Sequence, residues 1–565
     1  MSERVLSGAP ASPGLAIGRA RVLSHPSEDT ARDPLPTGEA EAEAERASDA
    51  LRQAATELER IAAQLREQGR EDDAEIVETG ALMAADPMLD SAVSEAVTER
   101  GLRAPAAVIE ATEQHAAVIA SLPDALLAAR ADDVRSLGRR AARIAAGAPD
   151  DAVGANGSPD PPRLRGRGQA AFVLVAEDLG PADVAEHGER LAGIALSSGG
   201  VTAHAAIVAR SLGIPMTVLA GPELLQVSNG TSVVVDGSDG TVIVGPSASR
   251  AQLAGAASDD RARTRAREIA DSSLPAETTD GRRVRVLVNA ATPAELRAGL
   301  AAGAEGAGLI RTELAFLDAP AWPQRAQHLQ MLAPLLAVLE GRTATVRVLD
   351  FGGDKVPPFL RDEPRRGIEL LLAYPGAFRA QLVAISELAG GGNVRVLLPM
   401  VRTPGEVSVT RAILTSLGPD VELGAMIELP EAAELAVEIA AVSDFLSIGT
   451  NDLTHATLGT DRFAHGEAPA HDPRVLRHIA TTARAAHAAG IPLEVCGEAA
   501  SDPMVVPLLV GLGANELSAG AARVGSVRGW VRALDYGETE RLAQRALEAT
   551  DAAEVERLAE PLVSR

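Results

Sequence analysis

From about residue 280 onward the chain repeats one unit eight times: a short apolar run, then a stretch with helical spacing. The runs begin at Val284, Gly306, Thr345, Val394, Leu423, Phe445, Leu493 and Glu516. Strands of a parallel sheet are covered on both faces, so they read as near-continuous apolar runs, and each needs a crossover to reach the next. Eight β/α units over residues 276–565 match a (β/α)8 barrel. Alternation alone also allows an open doubly wound sheet. The count of eight favours closure.

Functional groups of such barrels sit where the strands end at their C-terminal face. Here the second run ends in Arg311-Thr312-Glu313, and the third carries Arg347 and ends in Asp350, followed by a loop to Lys355. The fifth ends in Glu428, the sixth in Asn451 and Asp452 with Arg462 shortly after, and the seventh in Cys496. Guanidinium forks bind phosphate or carboxylate in pairs of hydrogen bonds. Two carboxylates from different strands suit Mg2+, which shares its remaining positions with water and substrate phosphate. A thiol of ordinary acidity is mostly protonated at neutral pH and can donate that proton. Any one of these residues is as readily a salt-bridge partner or, for Cys496, an inert core group. Their coincidence on five strand ends argues for a site.

Upstream, residues 1–24 read as short strands with turns, and residues 38–147 as amphipathic helices rich in Ala, Glu, Arg and Leu. Buried strands follow at Ala171–Ala176 and Gly193–Ser197, then a hairpin turning at Gly237-Ser-Asp-Gly240. The expected organisation is multidomain α/β. An α/β domain of residues 1–24 and 148–246 carries an inserted helical bundle (25–147); a linker helix (247–275) leads to the barrel (276–565). Ser198-Gly-Gly-Val-Thr-Ala-His204 ends a strand and opens a helix, with Thr202 placed to cap it. His204 then falls in the first turn, where free N–H groups and the dipole favour an anion such as a phosphoryl group. Arg210, further along, is placed to reach that group.

Composition narrows the partners. A net charge of -25 and only 2% aromatic residues argue against nucleic acid, which needs cationic surface or stacking platforms. The acidic surface suits a basic protein. One cysteine and no run of about 20 apolar residues point to a reducing, cytoplasmic setting without a membrane span.

Several stretches resemble enzyme I of the bacterial phosphoenolpyruvate:sugar phosphotransferase system. GGVTAHAAIVARSLGIP resembles its phosphohistidine motif, and GLIRTE, VRVLDFGGDK, GAMIELP, FLSIGTNDLTHATLGTDR and EVCGEAA resemble its barrel motifs. The likeness spans nearly the whole chain and is loose only in residues 38–147. It implies that His204 accepts the phosphoryl group of phosphoenolpyruvate and passes it to the phosphocarrier HPr. Arg311, Arg347 and Arg462 would bind the substrate, with Asn451 and Lys355 in support. Glu428 and Asp452 would hold Mg2+, Cys496 would protonate enolpyruvate to pyruvate, and the barrel would form a homodimer. With His204 and the rim on separate domains, a rigid-body motion about residues 245–275 is expected.

The chain departs from the family pattern after Lys355. Asp362-Glu-Pro-Arg-Arg-Gly-Ile-Glu369 replaces a stretch with more positive charge: Arg366 fills one expected position, Glu369 stands where an arginine is common, and Arg365 is a possible substitute. Gly80 stands where some relatives carry a histidine at the partner interface, leaving Glu78 and Asp86 to meet a basic carrier. Two other readings stay open: a dikinase-type enzyme, which needs an ATP-grasp domain not recognisable here, and a phosphoenolpyruvate-responsive regulatory protein without efficient transfer.

Overall fold

The computed structural model describes residues 3–23, 38–67, 70–121, 130–147, 171–201, 203–352, 355–391, 393–418, 421–460 and 468–563. They form two units, Met1–Arg263 and Thr264–Arg565. The division falls inside the helix Ala248–Ala270. That helix ends at Ala270, short of the residue 275 expected for the linker, because Asp271-Ser272-Ser273 already turn the chain. Arg528 then fixes the turn by donating to the carbonyls of Ser272 and Leu274.

In the first unit eight strands form one sheet: β1 (Arg4–Ser7), β2 (Ala9–Ser12), β3 (Leu15–Val22), β4 (Phe172–Ala176), β5 (Leu191–Leu196), β6 (Met216–Val218), β7 (Ser232–Asp236) and β8 (Thr241–Val244). Their order is β1-β8-β7-β3-β4-β5-β6-β2, with β3, β4, β5 and β6 parallel to one another. Period-two alternation sends side chains of β4 to both faces. Leu174 and Ala176 join Ala205, Val208 and Ala209 of a helix on one side, whereas Val173 and Val175 join Val233, Val235 and Val242 on the other. That is why the run Phe-Val-Leu-Val-Ala shows no polar alternation.

Between β3 and β4 come five described helices: α1 (Ala40–Glu67), α2 (Glu71–Ala84), α3 (Pro87–Thr98), α4 (Ala104–Ala120) and α5 (Ala131–Ala145). Ala47, Leu51, Ala54, Leu58, Ile61 and Leu65 give α1 a stripe at alternating four- and three-residue spacing, and this stripe feeds the bundle core. Asp86 caps α3 by accepting from Met88 N, and Pro87 occupies the first helical position, where its missing N–H costs nothing. Arg140 of α5 is buried and binds Glu57 of α1 at 3.2 Å. It also binds Asp183 and Glu186, on or beside the α/β helix α6 (Pro181–His187), both at 2.8 Å. Burial disfavours its charge, but Asp183 and Glu186 outweigh that and hold the guanidinium firmly protonated.

In the second unit the eight apolar runs become β9 (Arg285–Ala290), β10 (Gly306–Arg311), β11 (Thr343–Arg347), β12 (Val394–Leu398), β13 (Glu422–Ile427), β14 (Phe445–Gly449), β15 (Leu493–Cys496) and β16 (Glu516–Gly520). All are parallel, and β16 pairs with β9 to close the barrel, so the open-sheet alternative is excluded. The helix after β9 starts with a reciprocal cap: Thr292 Oγ1 accepts from Glu295 N, and Glu295 Oε2 accepts from Thr292 N. Leu309, Leu397, Met426, Phe445 and Cys496 fill one layer of the barrel interior. Gly424 makes that layer possible, since a β-carbon there would overlap the Phe445 ring. Among the described residues no single helix is long and apolar enough to cross a membrane.

Candidate active site

The barrel rim starts from strand register. Arg311 and Arg347 are direct neighbours on β10 and β11, so two guanidinium groups leave adjacent strand ends together. Arg347 is buried, with Nη2 2.7 Å from Glu313 Oε1 and Nη1 3.0 Å from Asp350 Oδ2. Lys355 Nζ reaches the same Glu313 oxygen at 2.9 Å. Glu313 is fully buried; burial alone would raise its pKa, but Arg347 and Lys355 pull it below the usual carboxylate range. Arg311 differs: its buried Nε has no hydrogen-bond partner, and it lines a cavity of about 870 Å3 shared with Asn289, Asn451, Gly497 and Arg523.

Across the rim stands Glu428, just after β13. It is 2% exposed, and its Oε1 accepts from Met400 N at 2.6 Å. Met400 adopts a left-handed φ of 55°, an uncommon conformation for a side-chain-bearing residue, and there its N–H meets this carboxylate. Burial first, then the charges of Asp350 and Asp452, push Glu428 up to about 8. Asp452 lies in the first turn of the helix after β14, with Arg366 3.7 Å away. Asn451 Oδ1 accepts from Glu498 N, clasping the loops after β14 and β15. Cys496 ends β15; Ser447 donates to its sulfur at 3.5 Å, and the thiol points at Ile448 O at 3.5 Å. Burial, with Glu494 next in weight, pushes this thiol up to about 12, so it carries its proton at neutral pH.

The oxygen donors fit Mg2+. After burial, the charges of Asp350 and Asp452 raise Glu428 to about 8, and a cation bound beside it would relieve that repulsion. Among the described residues no three His, Cys, Asp or Glu side chains are grouped to hold a metal ion alone.

In the first unit His204 is the first residue of α7 (His204–Leu212). The cap position is Ala203, which offers no side-chain acceptor. Thr202, expected there, lies outside the described residues, as does Arg462 on the barrel. His204 Nδ1 is 2.9 Å from Asp133 Oδ2 of α5, close enough for an ion pair yet outside hydrogen-bond geometry. Arg210 is engaged with the backbone, donating from Nη1 to Ala11 O at 2.6 Å and Val201 O at 3.1 Å.

Sequence reasoning assigned no role to Glu313, Asp133 or the Arg366–Asp452 approach. The Arg-Thr-Glu run contained a signal for the first, because a carboxylate beside a strand-end arginine must be paired once buried. Arg365 forms two hydrogen bonds to Glu363 and lies over the Tyr374 ring.

Three family profiles match: "PEP-utilising enzyme, N-terminal" over residues 7–130, "PEP-utilising enzyme, mobile domain" over 168–240, and "PEP-utilising enzyme, PEP-binding domain" over 265–536. A phosphoenolpyruvate-protein phosphotransferase of Streptomyces coelicolor is 35% identical, with 100% of each chain covered. The chain belongs to the phosphoenolpyruvate-protein phosphotransferase family. The counterpart from Geobacillus stearothermophilus is 32% identical over 98% of this chain and 97% of its own. A multiphosphoryl transfer protein of Rhodobacter capsulatus is 38% identical over 78% of this chain, which spans about half (53%) of that longer protein. Among solved structures, "Enzyme I (nEIt)" is 32% identical over 45% of this chain, with a TM-score of 0.35. Membership makes this chain a transferase that uses phosphoenolpyruvate.

Proposed function

We propose that the chain takes the phosphoryl group of phosphoenolpyruvate onto His204, releases pyruvate, and passes the group to a histidine of HPr, the first step of sugar uptake by a phosphotransferase system. The observation that carries this reading is the pairing of Arg311 and Arg347 on adjacent strand ends, with a buried, protonated Cys496 in the same barrel mouth.

Phosphoryl transfer needs positioning and charge neutralisation more than covalent help from the protein. Arg311 and Arg347 bind the phosphate and carboxylate, aided by Lys355, Asn451 and Arg462. Glu313 holds Arg347 and Lys355 in place. Glu428 and Asp452 would hold Mg2+, which when bound neutralises phosphate charge. His204 attacks phosphorus through a ring nitrogen, and Asp133 stands 2.9 Å from its Nδ1. As the bridging oxygen leaves, enolpyruvate takes a proton on its methylene carbon from the Cys496 thiol. Arg210 supports the local backbone of the histidine segment.

In this reading residues 1–24 and 148–246 form the phosphohistidine domain, 25–147 dock HPr, 247–275 link, and 276–565 bind phosphoenolpyruvate and dimerise in the cytoplasm. Incubation with 32P-labelled phosphoenolpyruvate, Mg2+ and HPr tests it. Label should reach His204 and then HPr, and His204→Ala should abolish both. Label on neither protein in the unaltered chain would refute transfer and leave a regulatory role.

A further inference from the structure

Beneath the rim the barrel interior holds a carboxyl group that the transfer chemistry does not use. Glu494 lies two residues before Cys496 on β15, and both side chains are buried in the barrel (0% and 2% exposed). Two-residue spacing on a strand puts them on the same face. Neither Glu494 oxygen has a hydrogen-bond partner, and the nearest cation, Arg395 Nη2 of β12, is 4.0 Å away. Arg395 is instead committed to Glu516 of β16 at 2.9 Å, and Arg285 of β9 binds the other Glu516 oxygen at 2.5 Å. The interior layer thus has two carboxyls, one satisfied twice and one left over.

A buried carboxylate with no hydrogen bond is costly, and the ordinary remedy is to keep the proton. Burial first, then the charge of Glu516, raise Glu494 well above the usual carboxylate range, with Arg395 and Arg285 opposing. The group also has room. Gly308 of β10 faces it, and a β-carbon there would overlap both Glu494 Oε1 and Ser518 Oγ. Ser518 Oγ donates to Asn289 Oδ1 at 2.6 Å, and Asn289 lines the rim cavity. In the other direction Glu516 leads to Arg285, whose side chain is 35% exposed.

We infer that Glu494 is the buried acid that returns a proton to Cys496 after each turnover. The inference rests on Cys496 being the proton donor to enolpyruvate. When the new C–H bond of pyruvate forms, the S–H bond breaks and leaves a thiolate in an apolar layer. The Glu494 O–H bond then breaks as S–H re-forms, and the resulting carboxylate, beside Arg395, recovers its proton from solvent water. Glu494 does not touch the substrate; it acts through Cys496, to which it delivers the proton.

Rapid-quench measurement of pyruvate with phosphoenolpyruvate, Mg2+ and excess HPr separates this role from a structural one. Glu494→Gln should give a first turnover of normal rate and amplitude, then a steady state slowed about a hundredfold, the scale of a lost proton-transfer group. The unaltered chain should show no such break. A Glu494→Gln protein with unchanged steady-state turnover overturns the inference. So does one whose first turnover falls in step with later ones, because that marks Glu494 as scaffold. Cys496→Ala tests the underlying reading separately: pyruvate formed at the unaltered rate would remove Cys496 as donor, whatever Glu494 does.

Discussion

Removing one charge at Glu313 tests whether the rim is held by a single buried carboxylate. Glu313→Gln keeps the shape but leaves Arg347, 8% exposed, with Asp350 as its remaining partner at 3.0 Å. Breaking a buried pair by removing one partner costs about 3–5 kcal/mol, and the surviving Asp350 contact places this case near 3 kcal/mol. Lys355 is 24% exposed, so solvent limits its share to less than about 1 kcal/mol. The assay is built into the sequence: the two tryptophans, Trp322 and Trp530, both lie in the second unit, so their fluorescence follows barrel unfolding in the intact chain. With a urea dependence of about 3 kcal/mol per molar, the barrel midpoint should fall by about 1 M. The KM for phosphoenolpyruvate should rise as Arg347 loses its fixed orientation. A midpoint unmoved within about 0.2 M, together with an unchanged KM, would refute the clamp.

Three further outcomes follow from buried groups. His328 is fully buried with neither ring nitrogen bonded, and burial lowers its pKa from 6.5 to about 4. The unfolded chain therefore binds the extra proton first as pH falls below 6.5, and stability drops until about pH 4. At pH 5 the loss is about 2 kcal/mol, and His328→Leu should abolish that part of the pH dependence in urea titrations. Cys496 is shifted the other way, from 9.0 to about 12, so its contribution is complete below pH 9 and is lost as pH rises toward 12. As the chain's one cysteine, it should resist iodoacetamide at pH 8.5 until urea unfolds the barrel. Arg140→Met strands Glu57, Asp183 and Glu186, so faster amide exchange should appear in α5 and α6 at a cost of about 3 kcal/mol.

The barrel was legible because its strands are short, apolar and regularly spaced: every run expected from Val284 to Glu516 became a strand of the closed sheet. The strand-end positions were legible too, since a run shows where it stops. Which side chains meet across the interior was not. Arg395, Glu494 and Glu516 come together only because the barrel closes, and nothing local to Leu-Glu-Val-Cys says that Glu494 will lack a hydrogen bond. Asp133 facing His204 is hidden for the same reason, since the contact depends on how the inserted helices pack against α7. That Glu363 captures the Arg365 guanidinium two residues on was likewise not legible from the charge pattern alone.

The first strand of the sheet bears on how this chain emerges from the ribosome. Arg4 pairs with Val244, and Leu15–Arg19 with Ser232–Asp236, so the opening strands are synthesised long before their neighbours. At roughly 5–20 residues per second that delay is on the order of 10–50 s. During it the helices between β3 and β4 can assemble from contacts that are near in sequence, whereas the strand edges stay unsatisfied. A nascent chain of this design is exposed to edge-to-edge association during translation, and slowing synthesis should lengthen the hazard without altering the finished molecule.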